Sequence, residues 1–453
     1  MNRFSALPNL PILVILVAGC QDESSHYAAS RQTDQVDTDV LPTSSETDTA
    51  MNDGPRNILH IRLETWRQDF ESDLSAVTSK QGFLVPLAWN VAAWTHPTTA
   101  AADTGTWMRP EAFAKDWELS DDIVTGAEIL EQTGYLNRYF NVGNALAGSA
   151  SNLDQGYTEV DGESDVQGQA PTFEEQAEET LVWLEKVRKG ELWYAHLHTY
   201  DTHAPYGQLD PSCADQARAS AASCPIDLEQ AEEGEIHQAW QGLTTAQEKT
   251  ACSKGAEALN RCEAIALGTQ LVSFLGVLKN EGLLDNTVLV IDADHGEEYV
   301  PEAGHNKSLA KGQTAGFFWA WAPGFYQDSQ GSYPYAASQV DYLPTMLDIA
   351  GVDYDVYQLD GVSLADRTEP VDHPITSFWC FTDQSIWKEY AAVSADGTER
   401  LILNRYEEYE LYNESNDPDE TTDISSASAG LPTELTQAIM GVRDTMQSSC
   451  TAN

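Results

Sequence analysis

Three short apolar runs punctuate the chain, and each leads into an acidic residue. Asn57 to Leu63 (NILHIRL) is followed by Glu64, Trp193 to Tyr200 (WYAHLHTY) by Asp201, and Thr287 to Ala293 (TVLVIDA) by Asp294. Short, continuously apolar runs read as strands buried on both faces of a parallel sheet. Helical stretches precede two of them, Phe173 to Val187 and the segment 265–284. Helix followed by buried strand, repeated, predicts an α/β fold with a central, mostly parallel sheet flanked by helices. Gln339 to Gly351 reads as a further helix ended by its glycine. From about residue 366 short strand-like runs return, with a last helix near Pro432 to Met446, which predicts a small C-terminal α+β subdomain. No internal repeat is present.

In open α/β sheets, ligands and catalytic groups gather just beyond the carboxyl ends of the strands. Glu64, Asp201 with His203, and Asp294 with His295 all fall there. Any one such residue is ordinarily a solvated turn. Three acidic strand ends, all rich in metal-type ligands, point to a site.

The N-terminus changes the picture of where this chemistry occurs. A short apolar stretch from Leu10 to Val17 follows Asn2 and Arg3 and ends in Leu-Val-Ala-Gly-Cys at 16–20. The stretch is too short to span a bilayer and reads as an export signal. Small residues before Cys20 predict a lipobox, with residues 1–19 removed and Cys20 acylated; an ordinary signal cleaved near Gly19 is the alternative. The protein is then an exported lipoprotein, periplasmic or cell-surface and held to a membrane by Cys20. Residues 20–55 are polar and poor in apolar side chains, which predicts a flexible tether. Residues 56–365 form the predicted catalytic domain and 366–453 the C-terminal subdomain. Residues 207–262, polar and carrying four cysteines, read as a disulfide-tied insertion.

Seven cysteines less Cys20 leave six, an even number in a compartment that permits disulfides. Proximity in sequence pairs Cys213 with Cys224, Cys252 with Cys262 and Cys380 with Cys450, among fifteen connectivities that six cysteines allow. No Cys/His spacing suggests a zinc finger. The chain has 72 acidic against 24 basic residues, a net charge of −48. That excludes nucleic-acid binding through a basic surface and suits salty surroundings. An anionic substrate must then be drawn in by local cations.

The runs LETWRQDF at 63–70, WTHPTTAAADTG at 94–105, LHTYDTHAPY at 197–206, DHGEE at 294–298, GHNKSL at 304–309, VDYLPTMLDIAG at 340–351 and ELYNESNDPDETTDI at 410–424 follow one another in the order seen in sulfatases. The chain resembles the sulfatase branch of the alkaline phosphatase superfamily over nearly all of residues 56–424. The resemblance implies an α/β sandwich and a metal-dependent ester hydrolase. It places the nucleophile at Thr95, and one divalent cation (Ca, Mn, Mg or Zn) on Glu64, Thr95, Asp294 and His295. It gives His203 the leaving oxygen or the ester, and Lys307 the anionic group. His305 and His198 are further candidates, for contact with the substrate or with the metal ligands from behind. Pro97 suits a first helical position, so Thr95 is expected at a helix N-terminus that favours bound anions. Thr98 and Thr99 are competitors for its role.

Two departures bear on the reaction. Sulfatases oxidise a Cys or Ser to formylglycine, and a threonine would yield a ketone instead. The family's Arg two residues after the motif proline is also replaced, by Thr99. Threonine as nucleophile with Glu64 as ligand resembles the phosphotransfer branch, including phosphoethanolamine transferases. Phosphoester or phosphonate ester cleavage is therefore the expected chemistry, with sulfate ester hydrolysis the family-level activity. The alternatives are a phospho-substituent transferase and an inactive lipoprotein that keeps the fold.

Overall fold

The computed structural model describes residues 40–43, 54–107, 118–141, 151–161, 170–187, 189–299, 304–305, 308–381, 387–427 and 430–446. Cys20, Lys307 and Cys450 lie outside them. The strands are β1 (Asn57–Leu63), β2 (Gly82–Val85), β3 (Ala88–Trp89), β4 (Leu136–Phe140), β5 (Glu159–Asp161), β6 (Trp193–Thr199), β7 (Thr287–Ala293), β8 (Phe318–Trp321), β9 (Gln330–Ser332), β10 (Ala337–Ser338), β11 (Ile375–Phe381), β12 (Trp387–Val393), β13 (Glu399–Leu403) and β14 (Tyr409–Asn413). The helices are α1 (Ser75–Thr78), α2 (Thr95–Thr104), α3 (Gly126–Gln132), α4 (Phe173–Leu184), α5 (Ala214–Ala221), α6 (Glu233–Gln241), α7 (Ala246–Asn280), α8 (Lys311–Thr314), α9 (Tyr342–Ala350) and α10 (Thr433–Met446).

The main sheet runs β5-β4-β6-β1-β7-β8-β2-β9. The five strands from β5 to β7 are parallel, and β8 pairs antiparallel with both β7 and β2. The three apolar runs are thus β6, β1 and β7, side by side at the centre. Alternation along them sorts two cores. Leu59, Ile61, Leu63, Leu289 and Ile291 join Phe173, Leu267, Leu271 and Phe274 of α4 and α7 on one face. Ile58, Val288 and Val290 join Ala127, Ile129, Leu343 and Leu347 of α3 and α9 on the other.

Polar side chains occupy the carboxyl-terminal part of that second face. Arg62 on β1 makes a two-pronged ion pair with Asp292 on β7, with 3.0 Å for both contacts, and reaches Asp103 of α2 at 2.7 Å. Arg62 and Asp292 are both 0% exposed, and Asp103 is partly buried. A buried pair of charges lacking one partner is costly, so this triad fixes α2 against the sheet.

The four C-terminal strands form an antiparallel sheet, β11-β12-β13-β14. Phe378, Tyr390, Leu401 and Leu411 pack with Leu435 and Ile439 of α10 and with Ala100 and Ala101 of α2. The α/β architecture with a C-terminal antiparallel subdomain is the one the hydrophobic pattern predicts.

Three local expectations change. Val40 and Leu41, within the stretch read as a free tether, are buried in the core, because they are apolar and meet the α4–α7 side of the sheet. The helix expected over 265–284 starts at Ala246, where Thr245 and Glu248 cap each other's backbone N–H groups. Among the described residues the disulfides are Cys213–Cys262 and Cys224–Cys252, with Cα–Cα distances of 5.8 and 4.6 Å. The pairings of Cys213 with Cys224 and of Cys252 with Cys262 are thereby replaced, while the pairing of Cys380 with Cys450 falls outside the described residues. Cys252 and Cys262 sit on one helix about 15 Å apart along its axis, beyond the ~7 Å limit for a bridge. Helix α5 instead lies antiparallel on α7, so each of its ends meets a cysteine of the longer helix.

Candidate active site and metal centre

Strand register builds the site. Leu63 pairs with Thr199 on β6 and with Ala293 on β7, so Glu64 and Asp294 leave the sheet at the same level. Thr65 then turns the chain with a positive φ of 51°, rare for a β-branched residue. Its backbone N–H donates to Asp294 Oδ1 at 2.9 Å, and its hydroxyl donates to the Thr202 carbonyl at 2.6 Å. The Thr202 hydroxyl donates back to the Glu64 carbonyl at 2.5 Å. The three strand ends are stitched together by these bonds.

Helix α2 delivers the hydroxyl. Thr95 is its first residue, and Trp94, the N-cap, supplies no side-chain cap. Pro97 stands third rather than first; it is tolerated there because first-turn N–H groups have no helical partner. Thr95 Oγ1 donates to Glu64 Oε1 at 2.7 Å and lies 3.3 Å from His295 Nε2. Thr98 donates to the carbonyls of Trp94 and Thr95, and Thr99 Oγ1 has no hydrogen-bond partner among the described residues. Of the three threonines, Thr95 is the one whose hydroxyl hydrogen-bonds into the cluster.

The donor set fits a cation. His295 Nδ1 donates to the Gly296 carbonyl at 2.9 Å, which leaves a lone pair on Nε2. That lone pair faces Asp294 Oδ2 at 3.2 Å and Glu64 Oε1 at 3.9 Å. Glu64, Asp294 and His295 are all 0% exposed, and one ligand atom from each lies within 4.8 Å of the others. Burial and the neighbouring Glu64 carboxylate push the Asp294 carboxyl well above its usual range. Burial also holds the His295 imidazole down to about 3, so it is neutral at pH 7. Two buried carboxyl groups and an unprotonated imidazole, converging on one point, are a donor set into which one divalent cation would fit.

His198 does not face outward. It is 0% exposed, and its Nε2 lies 2.7 Å from Glu64 Oε2 while Tyr139 OH is 3.2 Å from its Nδ1. Burial opposes ionisation of Glu64, but the His198 contact holds this carboxyl below its ordinary value. Asp201 also turns away from the cluster: its Oδ2 accepts from the Phe173 N–H at the start of α4, at 2.8 Å. His203 and His305 lie beside the first cluster, the His305 ring 4.4 Å from that of His295. Against them stands Glu233, with Oε2 at 3.2 Å from His305 Nε2 and 3.9 Å from His203 Nε2. Burial works against a charged His305, yet Glu233 and Glu297 push it up to about 9. Glu233 escapes notice in the sequence, since it sits on α6 in a segment with no motif; the Glu232–Glu235 capping box marks only a helix start.

A family description named Sulfatase matches residues 76–352, a span that includes Thr95, His203, Asp294, His295 and His305, while Glu64 precedes it. No curated protein matches the sequence. Among solved structures, the phosphonate monoester hydrolase of Agrobacterium radiobacter is similar, with a TM-score of 0.61 and 17% identity over 87% of this chain and 95% of that one. The phosphonate monoester hydrolase from Silicibacter pomeroyi has a TM-score of 0.58 and 15% identity over 87% and 95%. A protein solved with its substrate D-glucosamine-2-N,6-O-disulfate has a TM-score of 0.62 and 15% identity over 87% and 98%. At such identities the structural likenesses establish the fold. With the family match covering more than half of the chain, the protein belongs to the sulfatase family and is an ester hydrolase.

Proposed function

We propose that the protein is a metal-dependent phosphodiesterase or phosphonate ester hydrolase in which Thr95 is the nucleophile. The observation that carries this reading is the Thr95 hydroxyl, 2.7 Å from Glu64 Oε1 and 3.3 Å from the His295 lone pair, inside a buried ligand set. Glu64, Asp294 and His295 would hold one divalent cation, which supplies positive charge to lower the Thr95 hydroxyl pKa and offset charge on the ester's free oxygens.

The residues themselves account for the rest. Thr95 Oγ1 attacks phosphorus, forming a P–O bond as the bond to the leaving oxygen breaks. The face made by His203 and His305 receives that leaving oxygen. Water then cleaves the phospho-threonine, returning the hydroxyl and releasing the second product. Arg62, Asp292 and Asp103 hold α2 so that Thr95 keeps its distance to Glu64. A threonine at this position also argues against formylglycine chemistry, because oxidation of its secondary alcohol gives a ketone.

Export and a lipid anchor at Cys20 belong to the same reading. The two disulfides support an oxidising compartment. Incorporation of labelled palmitate that disappears in Cys20→Ser would support the anchor, and equal labelling of both forms would remove it.

The reaction class is tested by offering the metal-loaded protein matched aryl sulfate, phosphate monoester, phosphodiester and phosphonate ester substrates in water. Fastest release from the phosphodiester or phosphonate ester is expected, without any added acceptor. Turnover confined to the sulfate, or dependent on an acceptor alcohol, would overturn the assignment.

A further inference from the structure

The cluster beside the first site has the chemistry of a second one. His203 comes from the loop after β6, His305 from the segment before α8, and Glu233 from the first residue of α6. One ligand atom from each lies within 4.8 Å of the others. His203 Nδ1 faces the Ala204 carbonyl at 2.6 Å, so Nδ1 carries the proton and Nε2 turns a lone pair toward Glu233. His305 Nδ1 faces Glu297 Oε2 at 3.6 Å, and that carboxylate is itself held by Tyr206 OH at 3.3 Å. An imidazole whose far nitrogen is turned to a carbonyl or carboxylate is the arrangement found around histidines that ligate metal. One of the two separations agrees as well, and the other is longer. Ligand atoms about 2.0–2.1 Å from a tetrahedral zinc stand about 3.3 Å apart, and Glu233 Oε2 lies 3.2 and 3.9 Å from the two Nε2 atoms.

The geometry points to a second divalent cation, held by His203, His305 and Glu233. Two nitrogens and one carboxylate favour zinc or another borderline ion over calcium. Glu233 makes this site a property of the insertion. Cys224–Cys252 closes the loop that carries α6, and Cys213–Cys262 fastens α5 to α7 beneath it. Ile236 and Trp240 of α6 pack with Ala204 and Tyr206, the residues that follow His203. The ligand is thus delivered by a disulfide-closed loop. The role given to this cation, receiving the leaving oxygen, rests on the function proposed above; its binding rests on the three side chains alone.

The test is elemental analysis of the full-length protein, stripped with chelator, reloaded with zinc and desalted. Two zinc ions per chain are expected, falling to one in Glu233→Gln and in His203→Ala. Circular dichroism establishes that each variant is folded, and the second variant decides if the first does not fold. Reduction of the disulfides should release one ion and leave the other. One ion in the unaltered protein, or two retained in a folded Glu233→Gln, would overturn the second site while leaving the first intact. No bound ion would overturn both.

Discussion

Replacing His198 by phenylalanine isolates the support behind Glu64. The ring volume is kept, but the nitrogen 2.7 Å from Glu64 Oε2 is lost, and that oxygen has no second hydrogen-bond donor among the described residues. A hydrogen bond to a charged group contributes about 1.5–3 kcal/mol, more when the group is buried. At about 1.4 kcal/mol per tenfold, that is roughly a 10- to 100-fold weaker hold on the cation. The loss should also depend on pH. His198 keeps the Glu64 carboxyl below its usual range, so its contribution is present at neutral pH and lost only as pH falls through that lowered value. Without His198, burial pushes the carboxyl upward and protons compete with the cation at higher pH. Calorimetric titration of the chelator-stripped protein with zinc at pH 8 and pH 6 measures both effects. His198→Phe should bind at least tenfold more weakly at pH 8 and weaker still at pH 6, and His198→Gln, which keeps a donor, should lose less. Affinity within about twofold of the unaltered protein, in a folded His198→Phe, would refute the positioning role.

Other perturbations probe the surrounding fold. Burial raises the Asp201 carboxyl from 3.8 to about 6, so stability present below pH 4 is lost as pH rises through 6. A shift of that size corresponds to about 3 kcal/mol, and denaturant titrations should find that Asp201→Asn loses less stability between pH 4 and 7 than the unaltered protein, by up to about that amount. At Gly296, next to His295, a Cβ would stand 2.0 Å from the Gly312 carbonyl oxygen, a backbone atom that cannot rotate away. Gly296→Ala should cost about 1–3 kcal/mol or more in thermal unfolding and displace His295 enough to abolish cation binding. Breaking the charge triad with Arg62→Leu leaves Asp292 buried without its guanidinium and should cost about 3–5 kcal/mol in the same melts.

The central strands and their acidic ends were legible because a strand buried on both faces must be apolar, and the change to Glu64 or Asp294 marks where it leaves the sheet. Thr95 was singled out through the resemblance of its Thr-x-Pro segment to sulfatases, with the expected helix start beside it. His198 was left open between substrate and ligand contact because β6 is uniformly buried, so its alternating faces cannot be told apart by hydropathy; the register with Glu64 turns it inward. Glu233 and the disulfide partners were hidden for a different reason. Both depend on α5 and α6 folding back on α7, an arrangement set by packing of Ile236, Trp240, Ala256 and Leu259 rather than by any local pattern.

In the proposed reaction Thr95 attacks an ester beside a bound cation. Acid-quenched mass spectrometry of metal-loaded protein mixed with an aryl phosphodiester examines that step directly. A phosphoryl adduct on the peptide containing Thr95 is expected, absent from Thr95→Ala even though that variant keeps its cation and its fold. Undiminished turnover in Thr95→Ala, or an adduct on a different residue, would contradict the mechanism.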